Sequence, residues 1–436
     1  MINTLDSKKK NFYEEISALG VFNRENTEKI SVSVSKIIAD IETAGDEKLL
    51  EYTNLYDDRA EASVESLLFE KKALETAYRS LDTKVKNALQ IAHDRVRFYH
   101  EKQLEASGSG LNWSYEDDQG NILGQSVRGM ERVGIYVPGG KAAYPSTVIM
   151  TAIPARVAGV REIIVCVPAP KGVVSTAVLA AAHLCKVDRV FSIGGAQAIA
   201  ALAFGTGLVP KVDKIVGPGN IYVATAKEKL FGRVGIDMIA GPSEVVIVAD
   251  DSVDPTWVVQ DMFAQAEHDE LAQAIVISTS QSALDNVRRT IKTKIKEEQR
   301  SGIIEQALRD RGALIKVRDL NEALKVVNLL SPEHLQLSIK NASKFAKGVE
   351  NAGAVFVGAR TTEAVGDYSA GPSHVLPTNG TARFSSPLGV YDFQTRTSIV
   401  ECSREGSKRL NKTASIIALE EGLFSHSKSA SLRSED

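Results

Sequence analysis

The sequence predicts an α/β protein with two parallel-sheet units and helical extensions at both ends. Two observations lead to this fold class. Short apolar runs that do not alternate with polar residues recur through the chain, which is typical of strands buried on both faces of a sheet. Helical patterns separate these runs, as in parallel sheets. At 436 residues the chain is also too long for one simple core, which favours more than one domain.

The first 130 residues have mainly helical patterns. Residues 32–57 space their apolar side chains three and four apart, and the sequence "TAGDE" at 43–47 separates two helices. Another amphipathic helix is predicted over 85–103, with His93 and His100 one heptad apart on the same face. No acidic side chain completes a metal site on that face, so we assign no functional site to this region.

Four apolar runs in the middle of the chain predict the strands of one sheet. They are "RVGIYVPGG" (132–140), "REIIVCVPAP" (161–170), "VDRVFSIGG" (187–195) and "VDKIVGPGN" (212–220). Ligands bind at the carboxyl ends of such strands, and a helix N-terminus favours phosphate or another anion. The complete Gly-x-Gly-x-x-Gly of dinucleotide sites is missing, because Tyr222 takes the place of the third glycine in "GPGNIY". A ligand site and simple tight turns therefore both remain open.

A second set of apolar runs predicts another sheet. The set consists of "SEVVIVADDS" (243–252), "AIVISTS" (274–280), "ALIKV" (313–317) and "GAVFVG" (353–358), again with helical patterns between them. The stretch 386–436 mixes short apolar pieces with polar residues, and its last ten residues are expected to be loose.

Composition and charge exclude several classes of protein. The net charge of −3 gives no electrostatic reason to expect nucleic acid as a partner. No apolar run approaches the roughly 20 residues that cross a bilayer, and the N-terminus lacks the apolar core of a secretory signal. Three widely spaced cysteines are typical of a reducing compartment, and Cys166 lies in an apolar run as a buried small residue would. We expect a cytoplasmic enzyme with no nucleic acid and no membrane as partner.

The segment 253–273 carries a polar pair at the end of a predicted helix. Asp254 and Pro255 are suited to the N-cap and the first turn. Gln265 and His268 are three residues apart, so on a helix both side chains reach one point, whereas Glu267 points elsewhere. A pair of this kind is a weak signal for a metal, since structural polar pairs on helices are commoner.

Two later segments supply further candidate ligands. The Gly-, Ser- and Pro-rich stretch "EAVGDYSAGPSHVLPT" is predicted to be a loop and contains Asp367 and His374. Near the end, "EEGLFSHSKS" contains Glu421 and His426. Nitrogen and oxygen ligands without thiolates suit zinc, or a harder divalent ion, in an open catalytic site. Nothing in the residues themselves shows that these segments meet.

The stretch "LLSPEHLQLS" raises a different possibility. Ser331 and Pro332 end the preceding helical pattern, and Glu333 and His334 begin a new segment. Histidine transfers protons near neutral pH, and a neighbouring carboxylate can activate water. A surface capping pair would have the same sequence, so both interpretations remain open here.

Taken together, these stretches resemble the histidinol dehydrogenase family. The matching segments are "RVGIYVPGG", "GGAQAIAALA", "GPGN", "AGPSEVVIVAD", "QAEHD", "SPEHL", "GDYSAGPSHVLPT" and "EEGLFSH". They run in family order over nearly the whole chain, most clearly over 130–427, and as a set they are highly specific. Pro372 and Pro387 depart from many relatives, and only the local loop shape is affected.

The resemblance implies the oxidation of L-histidinol to L-histidine through L-histidinaldehyde with two NAD, in the last steps of histidine biosynthesis. It implies that one Zn²⁺ per subunit is bound by Gln265, His268, Asp367 and His426. It implies that His334 is the general base and that Glu333 activates water. Substrate contacts are implied for Ser243, Gln265, His268, His334, Asp367, His374, Glu421 and His426, and NAD contacts for Tyr136, Gln197 and Asn220.

The same resemblance implies the domain organisation and a homodimer. We expect an N-terminal helical arm (1–25), a first Rossmann-like domain with the zinc and acid–base residues (26–135 and 242–385), a second Rossmann-like domain that binds NAD (136–241), and a C-terminal dimerisation segment (386–436). In the family this last segment crosses to the partner subunit, so the active sites are shared.

Two other functions are compatible with the same residues. A related zinc- and NAD-dependent enzyme could oxidise another small polar alcohol, such as a sulfonated diol. A zinc-dependent binding protein without turnover is the second alternative. Substrate-dependent formation of NADH separates these possibilities.

Overall fold

The protein is described from a computed structural model, which covers residues 2–19, 27–106, 108, 112–139 and 143–434. The strands are β1 (Asn3–Asp6), β2 (Leu68–Phe69), β3 (Trp113–Glu116), β4 (Ile122–Gly129), β5 (Arg132–Tyr136), β6 (Glu162–Cys166), β7 (Arg189–Phe191), β8 (Lys214–Val216), β9 (Gly235–Ile236), β10 (Glu244–Ala249), β11 (Gln273–Ser278), β12 (Ala313–Lys316), β13 (His334–Ser338), β14 (Ala354–Val357) and β15 (Gln394–Glu401).

The α-helices are α1 (Phe12–Leu19), α2 (Thr27–Ala44), α3 (Asp46–Tyr56), α4 (Lys71–Ser80), α5 (Thr83–Ala106), α6 (Pro145–Val157), α7 (Thr176–Leu184), α8 (Gly195–Phe204), α9 (Ile221–Leu230), α10 (Pro255–Ala266), α11 (Gln281–Lys294), α12 (Ser301–Asp310), α13 (Leu320–Leu330), α14 (Ala342–Ala346), α15 (Glu363–Tyr368), α16 (Arg404–Glu420) and α17 (Phe424–Ser434). None of the described helices combines the length and the apolar character needed to cross a membrane.

The first sheet, sheet I, has the strand order β2-β7-β6-β5-β8-β9. Its strands β5 to β9 are parallel, and β2 is an antiparallel edge strand. The parallel strands follow the order 3-2-1-4-5 of the Rossmann fold, so the connections reverse direction between β5 and β8. Successive residues of β6 face opposite cores, as Ile163 and Ile164 show, and helices cover both faces.

The second sheet, sheet II, repeats this order. Its strands run β1-β12-β11-β10-β13-β14, and all of its pairs are parallel. The β10 and β11 sequences are buried throughout, which explains why their apolar runs do not alternate. Connections reverse between β10 and β13. The two predicted Rossmann-like sheets are therefore present.

The structure corrects the domain assignment of the N-terminal part. Residues 26–135, of which 26 lies outside the described residues, were expected to join 242–385, but the described helices α2 to α5 cover sheet I. Val34 of α2 shares a core with Ile164 of β6, and Val96 of α5 shares a core with Val133 of β5. Amphipathic periodicity shows that a helix has a buried face, but it does not show which sheet that face covers.

The N-terminal arm also differs from the expected helix. Residues Asn3–Asp6 form an edge strand that pairs in parallel with β12 of sheet II, and α1 follows. Phe12 and Ile16 of α1 lie in the sheet II core, so this arm is tied down by both backbone and side-chain contacts.

The C-terminal stretch forms a small separate layer. Strand β15 pairs in antiparallel fashion with β4, which pairs with β3, and α16 and α17 pack against each other. The last ten residues, expected to be loose, are helical to Ser434. Large apolar side chains of this layer remain exposed in the single chain, including Val400, Ile416, Ile417, Phe424 and Leu432.

Candidate active site

A cluster of buried polar side chains lies at the amino ends of the central strands of sheet II. Ser243 directly precedes β10, and Glu333 directly precedes His334, the first residue of β13. The two strands are neighbours, with Val245 opposite His334. The general expectation that ligands bind at carboxyl ends therefore does not hold for this cluster.

Gln265 and His268 lie at the C-terminal end of α10. The helix begins as predicted, since the Asp254 side chain accepts a hydrogen bond from the backbone of Thr256 and Pro255 is the first helical residue. The helix ends at Ala266, so His268 lies beyond the helix and not on its face. The backbone N–H of His268 donates to the Gln265 carbonyl at 3.3 Å. Gln265 is buried, and His268 is half-buried.

A short helix, not the predicted loop, carries Asp367. Thr362 caps α15 by accepting a hydrogen bond from the Val365 N–H. Glu363 and Asp367 are four residues apart on this helix and therefore share a face. Ligand atoms of His268, Glu363 and Asp367 all lie within 4.8 Å of one another. The four-residue spacing was the available signal for Glu363, and sequence reasoning missed it because the glycine-rich stretch suggested a loop.

Gln265 joins this cluster through its carboxamide. In the amide orientation that its neighbours require, the nitrogen lies 3.2 Å from Glu363 Oε1 and 3.1 Å from the Glu244 carbonyl. The Gln265 nitrogen is thus held by protein acceptors, and the carboxamide oxygen points away from them. This oxygen is the atom of the side chain that can bind a cation.

His334 and Glu333 are both anchored on the backbone of Glu244. The Glu333 carboxylate accepts a hydrogen bond from the Glu244 N–H at 2.9 Å. The Nδ1–H of His334 donates to the Glu244 carbonyl at 3.0 Å. Because Nδ1 carries the hydrogen, Nε2 holds the lone pair of the neutral ring. Among the described residues Nε2 has no hydrogen-bond partner, and Asp367 Oδ1 lies 3.6 Å from it.

Burial and neighbouring charges shift the pKa values of the carboxyl groups in the cluster. Burial raises the pKa of Glu333 to about 8, that of Glu363 to about 8 and that of Glu244 to about 6. Burial alone would raise the pKa of Asp367, but the nearby His334 ring, whose Nε2 lies 3.6 Å from Asp367 Oδ1, lowers it below its usual value. The cluster therefore crowds more acidic groups together than it has cationic side chains to balance.

The imidazoles divide into two classes. Burial lowers the pKa of both His268 and His374, so each ring is neutral and offers a lone pair. Burial alone would also lower the pKa of His334, but the neighbouring carboxyl groups of Glu363, Glu333 and Asp367 raise it well above its usual value. His268 is thus suited to bind a cation, and His334 is the most basic of the three rings.

His374 connects the cluster with the layer over sheet I. Its Nδ1–H donates to the Asp367 carbonyl at 3.0 Å, and its Nε2 lies 3.3 Å from the Thr147 hydroxyl of α6. The neighbouring Ser373 donates from its hydroxyl to the Met150 carbonyl of the same helix at 3.0 Å. The site therefore faces a cleft between the two sheet units. A cavity of about 500 Å³ opens beside it, lined in part by Tyr144, Pro145, Glu267, His268, Arg300 and Tyr368.

Glu421 and His426 are not part of the cluster within one chain. Glu421 is the C-cap of α16 and His426 lies in α17, and both are exposed. Among the described residues, His268, Glu363 and Asp367 place acidic or imidazole ligand atoms close enough together to hold a metal ion, and neither Glu421 nor His426 is in this group. A role for these two C-terminal residues would therefore depend on a second copy of the chain.

The predicted cofactor residues lie along the carboxyl edge of sheet I. Tyr136 is buried at the end of β5, and its hydroxyl accepts a hydrogen bond from the Gly195 N–H at 3.1 Å. Gln197 is buried in α8, and its Oε1 has no hydrogen-bond partner among the described residues. Asn220 is exposed and caps α9.

An apolar cavity of about 340 Å³ follows β5 and β6. It is lined by Pro138, Gly139, Ala143, Val167, Pro168, Pro170, Val173, Val174, Ser175 and Val178.

Comparison with known proteins covers both the sequence and the fold. A family profile for histidinol dehydrogenase matches residues 22–434. The chain is 51% identical over 432 residues to the histidinol dehydrogenase of Burkholderia lata, covering 99% of this chain and 98% of that protein. It is 50% identical over 435 residues to the histidinol dehydrogenase of Pseudomonas savastanoi pv. phaseolicola, covering 100% of this chain and 96% of that protein.

A solved structure gives the same result for the fold. The crystal structure of histidinol dehydrogenase from Elizabethkingia anophelis superposes with a TM-score of 0.89 at 31% sequence identity, covering 99% of this chain and 98% of that chain. The segments that carry the polar cluster and the glycine turns thus lie within a match that spans almost the entire chain. This chain belongs to the histidinol dehydrogenase family.

Proposed function

We propose that the protein oxidises L-histidinol to L-histidine through L-histidinaldehyde, with two molecules of NAD⁺ as hydride acceptors and a bound Zn²⁺. The observation that carries this proposal is the placement of His334 and Glu333, a base and a carboxylate, next to the His268–Asp367 ligand cluster. Membership of the family supplies the substrate and the place in histidine biosynthesis.

The residues of the cluster fit a divalent cation. Gln265, His268 and Asp367 would be ligands from one chain, and the partner's His426 would complete the set. The neutral His268 ring, the depressed pKa of Asp367 and the crowding of acidic groups all favour a cation at this point. When bound, Zn²⁺ would hold the neutral nitrogen donors of the substrate and orient its carbinol.

His334 would act as the base of both oxidation steps. In the first step the carbinol C–H leaves as hydride to NAD⁺, and the O–H proton passes to His334 Nε2, so the alcohol becomes an aldehyde and NADH forms. The hydrogen bond from Nδ1 to the Glu244 carbonyl keeps the ring in the tautomer that can accept this proton.

Glu333 would act between the two oxidations. A water molecule must add to the aldehyde carbon, and Glu333 in its carboxylate form, which its raised pKa makes a stronger base than an ordinary glutamate, would take one of the water protons as the hydrate forms. The hydrate then loses its second hydride to another NAD⁺ and its hydroxyl proton to His334, which gives the carboxylic acid. One histidinol, two NAD⁺ and one water are thereby converted into histidine, two NADH and protons.

The carboxyl edge of sheet I would hold NAD. The apolar cavity after β5 and β6 is suited to a flat aromatic ring, and the Oε1 of Gln197 is a buried acceptor for a ligand donor. Tyr136 and Asn220 would line the same edge. This edge and the amino edge of sheet II are linked through α6 and the segment around His374, so hydride donor and acceptor would meet in the cleft between them.

We further propose a homodimer, located in the cytoplasm, in which the C-terminal layer crosses to the partner. The exposed apolar side chains of α16 and α17 support such an interface, since large exposed apolar patches mark association surfaces. The exposed position of His426 fits a role in the other subunit's site.

Incubation of the metal-replete protein with histidinol and NAD⁺ tests the proposed function. We expect two NADH for every histidine formed. Oxidation of a sulfonated diol in place of histidinol would contradict the substrate assignment. Thermal stabilisation by histidinol without any NADH would contradict enzymatic function altogether.

A further inference from the structure

A buried ion pair lies under the glycine turn that follows β8. Lys227 is 2% exposed, although lysine is among the residues least often buried in proteins. Its ammonium group contacts the carboxylate of Asp237, whose side chain is 1% exposed. Neither residue belongs to the metal cluster or carries a proton in the proposed reaction, so the pair needs another explanation.

Both members of the pair bind the backbone of Gly217. The Lys227 ammonium donates to the Gly217 carbonyl at 3.0 Å. The Asp237 carboxylate accepts from the Gly217 N–H at 2.7 Å and from the Met238 N–H at 2.7 Å. The two polar backbone groups of one residue are thus held by one pair of opposite charges.

The position of Gly217 is one that only glycine fits. Its φ of +110° is one that side chains disfavour, and a Cβ at this position would lie 2.1 Å from the Tyr136 carbonyl oxygen. The turn therefore lies directly against the end of β5, with no space for a larger residue. Three residues later Asn220 caps α9, so the position of Gly217 determines where this end of the helix lies.

The pair is a poor device for stability alone. Desolvation of two charges offsets much of their attraction, and apolar residues of similar volume often stabilise a fold as well or better. What an apolar pair could not do is bind the N–H and carbonyl of Gly217. The hydrogen bonds of Lys227 and Asp237 with Gly217 are therefore what this ion pair provides and an apolar pair would not.

We propose that Lys227 and Asp237 are positioning residues that hold the Gly217 turn against β5 and thereby shape the NAD site. This inference rests on the proposed binding of NAD at the carboxyl edge of sheet I. It assigns to the pair an effect on cofactor affinity and none on the metal or on acid–base chemistry. The reason is that the hydrogen bonds of the pair go to the backbone of Gly217 and Met238 and not to the residues of the sheet II cluster.

The double variant Lys227→Met with Asp237→Leu tests the proposal, since it replaces the charges with apolar groups and leaves no unpaired buried charge. We expect the Kd for NADH, measured by fluorescence, to rise on the order of 10-fold, which corresponds to about 1.4 kcal/mol of lost binding free energy. The KM for NAD⁺ should rise in parallel. The kcat at saturating NAD⁺, the KM for histidinol and the zinc content should stay near those of the unaltered enzyme.

Arg233→Gln is the matched control, because it removes an exposed ion pair with Glu42 close to the same helix. Its Kd for NADH should not change. An unchanged Kd in the folded double variant overturns the proposal, and so does an equal loss of histidinol affinity and kcat, which would indicate general disruption.

If the double variant does not fold, Asp237→Asn decides the question, because the amide keeps the shape of the carboxylate but weakens its hydrogen bonds. A folded Asp237→Asn variant with unaltered NADH affinity overturns the proposal, and a raised Kd supports it. The unaltered enzyme separates this test from the proposed function: if it binds no NADH, the proposed cofactor is wrong, whereas failure of the positioning role alone leaves its NADH binding intact.

Discussion

At the scale of single residues, the backbone of Glu244 orients the side chains of both Glu333 and His334. Glu244 donates its N–H to Glu333 and accepts the Nδ1–H of His334, so a carboxylate and an imidazole are oriented from the same residue. The lone pair of Nε2 is consequently directed to the side of Asp367. In the proposed reaction His334 would therefore need no rearrangement before it takes a proton.

His334→Asn should lower turnover by roughly 10²- to 10⁴-fold, the usual range for loss of an acid–base group. Zinc content, measured by atomic emission, should remain that of the unaltered protein because His334 is not one of the proposed ligands. Unchanged turnover would remove His334 from its role, and loss of zinc would place it among the ligands.

Glu363→Gln should reduce turnover by roughly 10-fold, within the range for residues that orient metal ligands. The reason is that the substitution replaces the acidic group beside His334 with an amide that cannot ionise, and weakens the acceptor that holds the Gln265 amide. Zinc should stay bound, because Glu363 is proposed to orient a ligand and not to be one. The exposed Glu350→Gln is the control and should leave turnover unaltered; equal effects of the two substitutions would refute the role of Glu363.

At the scale of elements, the apolar runs predicted the central strands of both sheets because burial on both faces leaves an unmistakable pattern. They did not predict the short helix α15, since Gly366 and the following serines and prolines favour a loop in isolation. The expectation that 26–135 joins 242–385 failed for a similar reason, because the sequence of α2 or α5 shows an apolar face but not which sheet that face covers. The convergence of Gln265, His268 and Asp367 came from the family resemblance and not from their spacing.

The start of α13 offers a test of element stability with a defined pH dependence. Burial alone would raise the pKa of Glu322, but its hydrogen bonds from Arg318 lower it from 4.5 to about 2. A carboxyl group whose pKa is lower in the folded protein than in the unfolded chain stabilises the fold at pH values above its unfolded pKa. This contribution disappears as the pH falls toward the pKa of the folded protein.

Glu322→Gln should therefore lower the free energy of unfolding at pH 7 by roughly 1–2 kcal/mol, allowing for the exposure of Arg318. Urea denaturation should show the same difference at pH 5 and a smaller one at pH 3.5. The exposed Glu305→Gln serves as control. A difference that grows as the pH falls would contradict the assigned direction of the pKa shift.

At the scale of the whole molecule, two sheets of the same order contribute opposite edges to one cleft. Sheet I presents its carboxyl edge and sheet II its amino edge, and contacts such as that of Ser373 with the Met150 carbonyl of α6 connect them. The C-terminal layer leaves its apolar side chains and His426 exposed in the single chain. We therefore propose that this layer contributes to the site of a second copy.

Mixing two inactive variants tests the shared site. A heterodimer of His334→Asn with His426→Asn contains one site in which both histidines are intact, so roughly a quarter of full activity should return on random exchange of subunits of a two-fold dimer. Heterodimer formation is checked by native mass spectrometry. Heterodimers without recovered activity would show that each site lies within a single chain.

The central claim is that one divalent cation is held at the cluster of sheet II by side chains that are distant in sequence. Anomalous diffraction from zinc-loaded crystals measures this directly. We predict a single zinc peak per subunit, about 2.0–2.2 Å from ligand atoms of Gln265, His268, Asp367 and the partner's His426. A zinc peak elsewhere, or one bound at the cluster without Gln265 and the partner's His426, would contradict the account.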